Sequence, residues 1–424
     1  MSDTLIRNVR IFDGERLVKA NAVVLRGGLI TEVGVDLSPP SGVKTVDGRG
    51  GTLLPGLIDC HVHARLGNLE QALAFGVTTE LDMYNRPEVA GGLRAAAAGR
   101  ADVADCRSSL QGAVPPGGWL FKDAPVVAGP AEAVAFVQAR IREGADYIKV
   151  FVDPGGRPIG LSPETLRALV DAAHAGGKRV LAHAESATAA RRFIEAGGDG
   201  LAHVLQDLAP DAALLARLRR NGDFVVPTLR LSALASGAGD AARRQLFDHP
   251  RLGPFLDPRV RRLVAEDPPR LPRLDFAGAL RTTRLLHGAG IPILAGTDAA
   301  AGIPARESPV WWVAGHGIAL HHELELLVQA GLGPVDALAA ATALPARCFG
   351  LNDRGRIASG RRADLLLVDG DPTKEIKATR EIVGVWRSGG RLDRKAHRAT
   401  FAETDVDRSF RSLGRNSHAK GGDV

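Results

Sequence analysis

Leu53-Leu54-Pro55-Gly56-Leu57-Ile58-Asp59-Cys60-His61-Val62-His63 is an apolar run that ends in two histidines one residue apart. Read as a strand, it places His61 and His63 on one face, because side chains alternate with a period of two. Both imidazoles then converge on one point, which is what a metal requires of its first two ligands. The alternative for the pair taken alone is a buried strand whose histidines are merely hydrogen-bonded. The sequence on either side bears on that choice.

Downstream, between about 56 and 349, apolar strand candidates alternate with Ala-rich helical segments. The strands are expected at 57–63, 78–83, 102–111, 147–151, 179–185, 200–205, 224–229 and 292–298. The helices are expected at 131–143, 163–176, 186–196, 210–220 and 323–330. This alternation predicts an α/β chain, a parallel (β/α)8 TIM-like barrel rather than a doubly wound open sheet. In such a barrel the active site lies at the C-terminal ends of the strands. His61 and His63, Lys149, His183, His203 and Asp298 each close a strand candidate. The stretch 231–275, rich in Arg, Asp and Pro, interrupts the pattern and reads as a lid or as surface decoration.

Upstream, residues 1–55 read as short strands, with 5–12, 22–25 and 29–33 separated by turn sequences such as Asp13-Gly14 and Arg26-Gly27-Gly28. Strand-like sequence returns at 355–357, 363–369 and 382–386. A small discontinuous β-sandwich built from 1–55 and 350–400 is therefore expected beside a barrel spanning 56–349, with 401–424 as a C-terminal tail.

Composition sets outer bounds. Of 424 residues, 45% are hydrophobic and 24% charged, which is ordinary for a globular enzyme-sized chain. No apolar run reaches the roughly 20 residues a membrane span needs, and the N-terminus has no signal-peptide design. The three cysteines, Cys60, Cys106 and Cys348, are scattered and odd in number, which argues against a disulfide framework and for a reduced, cytoplasmic setting. The net charge of +6 is modest, and no aromatic residues interleave with the basic tail, so neither nucleic acid nor membrane is expected as a partner.

Four imidazoles and one carboxylate at strand ends suit a borderline metal such as zinc, manganese or cobalt. Lys149 stands apart, because an ammonium cannot ligate and Tyr147-Ile148-Lys149-Val150-Phe151 is an apolar strand in which an unpaired charge is costly. Either it pairs with Asp82, Asp153 or Asp298, or CO2 has converted it to a carbamate, an anionic bridge between two metals.

These motifs resemble the amidohydrolase superfamily, within it the imidazolonepropionase-like and Xaa-Pro or arginine dipeptidase-like branch. The resemblance rests on Pro55 to His63, Gly76-Val77-Thr78-Thr79, Ile148-Lys149, Ala182-His183-Ala184, Leu201-Ala202-His203 and Gly296-Thr297-Asp298. It extends through Gly331 to Leu338, Ala341-Thr342 and Gly360 to Leu365. It implies two divalent metals, most readily zinc, with His61, His63 and Asp298 holding the first, His183 and His203 the second, and carboxylated Lys149 bridging them. It also implies a bridging hydroxide as nucleophile and Asp298 as the proton carrier, with Lys149 and His203 in the catalytic group. The implied reaction is hydrolysis of a non-protein carbon–nitrogen bond, in a dipeptide, an N-acyl amino acid or an amide- or urea-like compound. Ring opening of a cyclic amide and lactone hydrolysis are the alternatives, an inactive scaffold a remote one, and family habit implies a homo-oligomer.

Substrate residues are less defined. The dipeptidase-like relatives imply a Tyr or His shortly after the strand-five histidine, but here His183-Ala184-Glu185-Ser186 puts an acid there. Glu185 either points into neighbouring helices or disfavours carboxylate substrates. Tyr84, Arg107, Gln111, His316, His321 and His322 are the other rim candidates. Tyr84 and Gln111 have barrel-end packing as their alternative, Arg107 an ion pair, and the histidines a solvated loop.

Overall fold

The computed structural model describes residues 3–39, 42–117, 124–152, 160–258, 260–261, 270–271, 274–300 and 315–400. The N-terminal strands are β1 (Thr4–Arg7), β2 (Arg10–Phe12), β3 (Leu17–Val18), β4 (Ala22–Arg26), β5 (Leu29–Gly34), β6 (Lys44–Asp47) and β7 (Thr52–Pro55). The single strand expected over 5–12 is two, because Asn8 adopts φ +55°, a left-handed conformation that Asn tolerates and a strand does not. One sheet has the order β5-β4-β1-β6.

The middle of the chain supplies β8 (Leu57–His63), β9 (Val77–Asp82), β10 (Asp105–Ser108), β11 (Ile148–Phe151), β12 (Val180–His183), β13 (Gly200–Ala202), β14 (Phe224–Val226) and β15 (Ala299–Ala300). They form two four-stranded sheets, β10-β9-β8-β15 and β11-β12-β13-β14, and every pairing within them is parallel. Parallel strands covered by helices are buried on both faces, which is why these segments read as continuous apolar runs. Hydrogen bonds connect the two sheets at both junctions. At one, Ala113 N–H donates to Lys149 O and Phe151 N–H to Ala113 O. At the other, Leu294 N–H donates to Val225 O and Cys60 N–H to Ala295 O.

The intervening helices have local causes. In Pro163–Ala175 the buried Leu166, Leu169, Val170 and Ala173 recur at helical spacing, and Ser162 Oγ caps Thr165 N–H at 3.2 Å. Ala187–Glu195 is capped by Ser186 and Ala212–Asn221 by Asp211, the latter ending on a left-handed Gly222. Each returns the chain to the start of the next parallel strand.

Four expectations need correction. The segment 292–298 is not a continuous strand: Pro292 lacks a donor, and Thr297 N–H turns to the Asp59 carboxylate instead of a neighbouring strand. The strand expected over 102–111 shrinks to Asp105–Ser108, followed by Leu110 at φ +58°. Residues 355–357 form no strand. Of 231–275, the described part holds most of the helix Leu229–Ser236, buried through Ala235, and the helix Asp240–Phe247, so the segment opens on buried helical structure.

The C-terminal strands β16 (Leu365–Val368), β17 (Ile382–Arg387) and β18 (Gly390–Arg391) join the N-terminal ones in a six-stranded sheet of order β18-β17-β16-β7-β2-β3. Ile6, Ile11, Val23, Leu53, Leu365, Leu367 and Trp386 form one buried apolar cluster between this sheet and the first. The tail 401–424 lies outside the described residues. Cys60, Cys106 and Cys348 are free and buried, and no described helix is long and apolar enough to cross a membrane.

Candidate metal centre and active site

The C-terminal ends of β8, β12 and β13, together with β11 and the segment leading into β15, bring six polar side chains to one region: His61, His63, His183, His203, Lys149 and Asp298. His61 Nε2 and His63 Nε2 lie 3.3 and 3.1 Å from the same atom, Asp298 Oδ1. The His61 and His203 rings are 4.9 Å apart between centroids, and those of His203 and His183 4.5 Å. One ligand atom each from His61, His203 and Asp298 falls within a 4.8 Å cluster. His203 and Asp298 both have positive φ, 73° and 55°, a strained backbone for non-glycine residues that serves to aim a side chain.

The donor set suits a divalent metal. Burial holds the His61 imidazole well below its ordinary range, so it presents a neutral ring. Its Nδ1 is buried and has no hydrogen-bond partner among the described residues, an orphaning that proteins seldom tolerate unless a ligand is due. Lys149, only 1% exposed, lies in the same interior. Its Nζ makes no hydrogen bond among the described residues, so neither Asp82 nor Asp298 holds it by one, while Asp153 lies outside those residues. Burial pushes the Lys149 ammonium down to about 7 against the opposing pull of Asp298.

Support for this cluster comes from residues the sequence did not single out. Thr228 Oγ1 lies 2.8 Å from His203 Nδ1, which leaves Nε2 for a ligand. Thr228 occupies the N-cap of helix Leu229–Ser236, yet its hydroxyl does not cap it. Glu323, from the helix Ile318–Gln329, accepts the first two N–H groups instead, Leu229 at 2.9 Å and Arg230 at 2.8 Å. Phe151 packs 5.4 Å from His183 and edge-on to Tyr84 at 6.1 Å. No spacing in the sequence marks Thr228 or Glu323. Asp59 and Thr297 stand inside the quoted motifs, but the bond between them joins segments far apart in sequence, which no spacing marks.

The rim candidates separate. Tyr84 reaches the ligand side through Phe151, and Glu185 Oε1 stands 3.9 Å from His183 Nε2. Gln111 Oε1 accepts from Arg140 Nη1 at 3.4 Å. Arg107 is not at the rim: it pairs with Asp105 at 3.7 Å and with Asp146 at 3.6 Å. Asp146 precedes β11, so this is the opposite end of the strands, where Arg107 lines a cavity of about 410 Å³ with Tyr147, Lys178, Arg179 and Phe349. His321 is likewise displaced, because its helix turns it onto Phe75 O and Thr379 Oγ1, both at 3.0 Å. Nor is the histidine group a solvated loop. His316 is fully buried against Glu80 at 2.8 Å, and His322 is 2% exposed.

Parallel strands with helical connections, carrying imidazoles and a carboxylate at their C-terminal ends, define a metal-dependent hydrolase. The profile of the Amidohydrolase family matches residues 52–392, and the chain belongs to that family, whose members act on carbon–nitrogen bonds. It is 30% identical over 365 residues to an uncharacterized protein of Mycobacterium tuberculosis, covering 80% of this chain and 84% of that one. An imidazolonepropionase of Deinococcus radiodurans is 27% identical over 432 residues, 89% of this chain and 93% of that one. Among solved structures, a putative prolidase from Bifidobacterium longum aligns with a TM-score of 0.74 at 25% identity, over 95% of this chain and 99% of that chain.

Proposed function

We propose that the chain hydrolyses a non-protein amide-type bond of a small molecule with two divalent metal ions, zinc foremost. His61, His63 and Asp298 hold one, His183 and His203 the other, and Lys149, as its carbamate, bridges them. The observation that carries this reading is the convergence of imidazoles and Asp298 Oδ1 beside a buried lysine amine that has no hydrogen-bond partner among the described residues. An amine held near 7 is substantially unprotonated at neutral pH, and the free amine is the form that attacks CO2 to give a carbamate and a proton. The metals supply Lewis acidity and an acidified water. Asp298 takes the proton of the attacking water and returns it to the leaving nitrogen. Thr228 keeps His203 in one tautomer, and Tyr84 with Phe151 forms an aromatic wall next to His183.

The same reading closes the two parallel sheets into an eight-stranded barrel over 56–349 and makes 1–55 with 350–400 a β-sandwich. It keeps a cytoplasmic setting and a homo-oligomer. A second reading, ring opening of a cyclic amide, is favoured by the similarity to an imidazolonepropionase.

The test is a mass-spectrometric screen of dipeptides, N-acyl amino acids, anilides, ureas, lactones and cyclic amides, using protein reconstituted with zinc or manganese and bicarbonate. Two products summing to substrate plus water support the acyclic reading. One product heavier by a water moves the assignment to ring opening, and silence from the metal-loaded protein across the library overturns both. Asp298→Asn should remove most turnover while metal stays largely bound; near wild-type activity in that variant refutes the proton-carrier role.

A further inference from the structure

Asp59 lies in the quoted motif two residues before His61, carries no expected ligand role and is fully buried. A carboxylate in such a place is costly unless several donors meet it. Here three do. Oδ1 accepts the His61 N–H at 3.2 Å and the Thr297 N–H at 3.1 Å, and Oδ2 accepts the Thr297 hydroxyl at 2.7 Å. Thr297 Oγ1 in turn accepts the Ala299 N–H at 3.1 Å, and Asp298 N–H donates to His61 O at 2.8 Å. These bonds tie the backbone on both sides of Asp298 to the strand that carries His61. They also hold Asp298 in its left-handed conformation, φ +55°.

We propose that Asp59 and Thr297 form a positioning clamp that fixes the separation of His61 and Asp298, and with it the affinity of the metal those two share. The proposal rests on the metal reading above, but its geometry is a property of the chain itself. The two carboxyl oxygens of Asp59 serve all three groups; in Asn one of them becomes an NH2, which cannot accept, so the bond to the Thr297 hydroxyl would have to reverse or one of the N–H bonds would be lost. Among the described residues, no hydrogen bond or ion pair links the side chain of either to an imidazole, to Lys149 or to the Asp298 carboxylate, so both act through the backbone they hold.

Cobalt(II), titrated into the metal-stripped full chain and followed by its visible absorption, is the probe. Asp59→Asn and Thr297→Val should weaken cobalt binding by about 10- to 100-fold and alter the band shape, as loss of a ligand-orienting partner does. Thr297→Ser, which keeps the hydroxyl, should stay close to the parent. A purely structural role would lower the melting temperature of the stripped variants while leaving cobalt affinity and spectrum unchanged, and that result overturns the clamp. If Asp59→Asn does not fold, Thr297→Val decides alone. If the parent itself binds no cobalt, the metal reading falls. Hydrogen exchange then decides the clamp: faster exchange at the amides of His61 and Ala299 in Thr297→Val supports it, and unchanged exchange refutes it.

Discussion

A threonine at a helix start ordinarily spends its hydroxyl on the helix's own N–H groups. Thr228 does not, because Glu323 has taken those donors, and the freed hydroxyl orients His203. Thr228→Val should therefore reduce metal affinity or turnover by about 10- to 100-fold, with the helix still formed. Thr228→Ser should restore most of it, and a valine variant with parental metal binding and rate would show that the tautomer is set elsewhere. Lys149→Ala should leave at most one metal per chain by elemental analysis; two per chain would exclude a bridging carbamate. The clustering of His61, His63, His183, His203, Lys149 and Asp298 was legible in the sequence because each is a polar residue within or at the end of an apolar run. Asp59, Thr228 and Glu323 were not, since their partners stand on other elements and only the folded chain pairs them. His321 shows the opposite error: a histidine in a cluster of histidines whose helix phase turns it away from the site.

At the scale of elements, the segment 292–298 illustrates how far apolar patterning reaches. Its position between β14 and β8 was legible, its irregular hydrogen bonding was not. That irregularity lets Gly296 pass against β8. A β-carbon there would lie 2.4 Å from Val226 Cγ1 and 3.0 Å from both Cβ and N of His61. The His61 backbone cannot yield without moving the ligand, so Gly296→Ala should cost about 1–3 kcal/mol, as overpacking does, and should loosen metal as well. Thermal unfolding of the stripped protein beside a cobalt titration checks both; a parental melting temperature would mean the segment is softer than its contacts imply. Helix Leu229–Ser236 escaped the sequence reading for a related reason. From Leu229 to Ala235 every residue is buried, so no exposed polar stripe gives it a helical period.

For the molecule as a whole, buried histidines couple stability to pH. Burial drives His321 down to about 3, against the pull of the Phe75 carbonyl, so the folded state holds it neutral while Thr379 and Phe75 occupy its two nitrogens. The unfolded chain takes up a proton near 6.5, the folded chain does not until about 3, and stability must fall as pH drops through that interval. His321→Gln should lower the melting temperature at pH 8 yet flatten its decline toward pH 5. The measurement belongs in chelator, because metal release on acidification would add its own slope. An unflattened decline would place the linkage in other groups. That both chain ends contribute to one sheet was legible from the return of strand-like sequence near residue 363; its six-stranded order was not, because register depends on partners far away in sequence. Leu54 of β7 lies opposite Leu366 of β16, a separation of 366 − 54 = 312 positions. At a translation speed of about 5–20 residues per second, β7 waits roughly 15–60 s on the ribosome before its partner exists. During that interval it is an apolar strand with a bare edge, able to template other nascent chains. The cell that makes this protein has to shelter the newborn N-terminus, and a chain cut short before β16 would never outgrow that need.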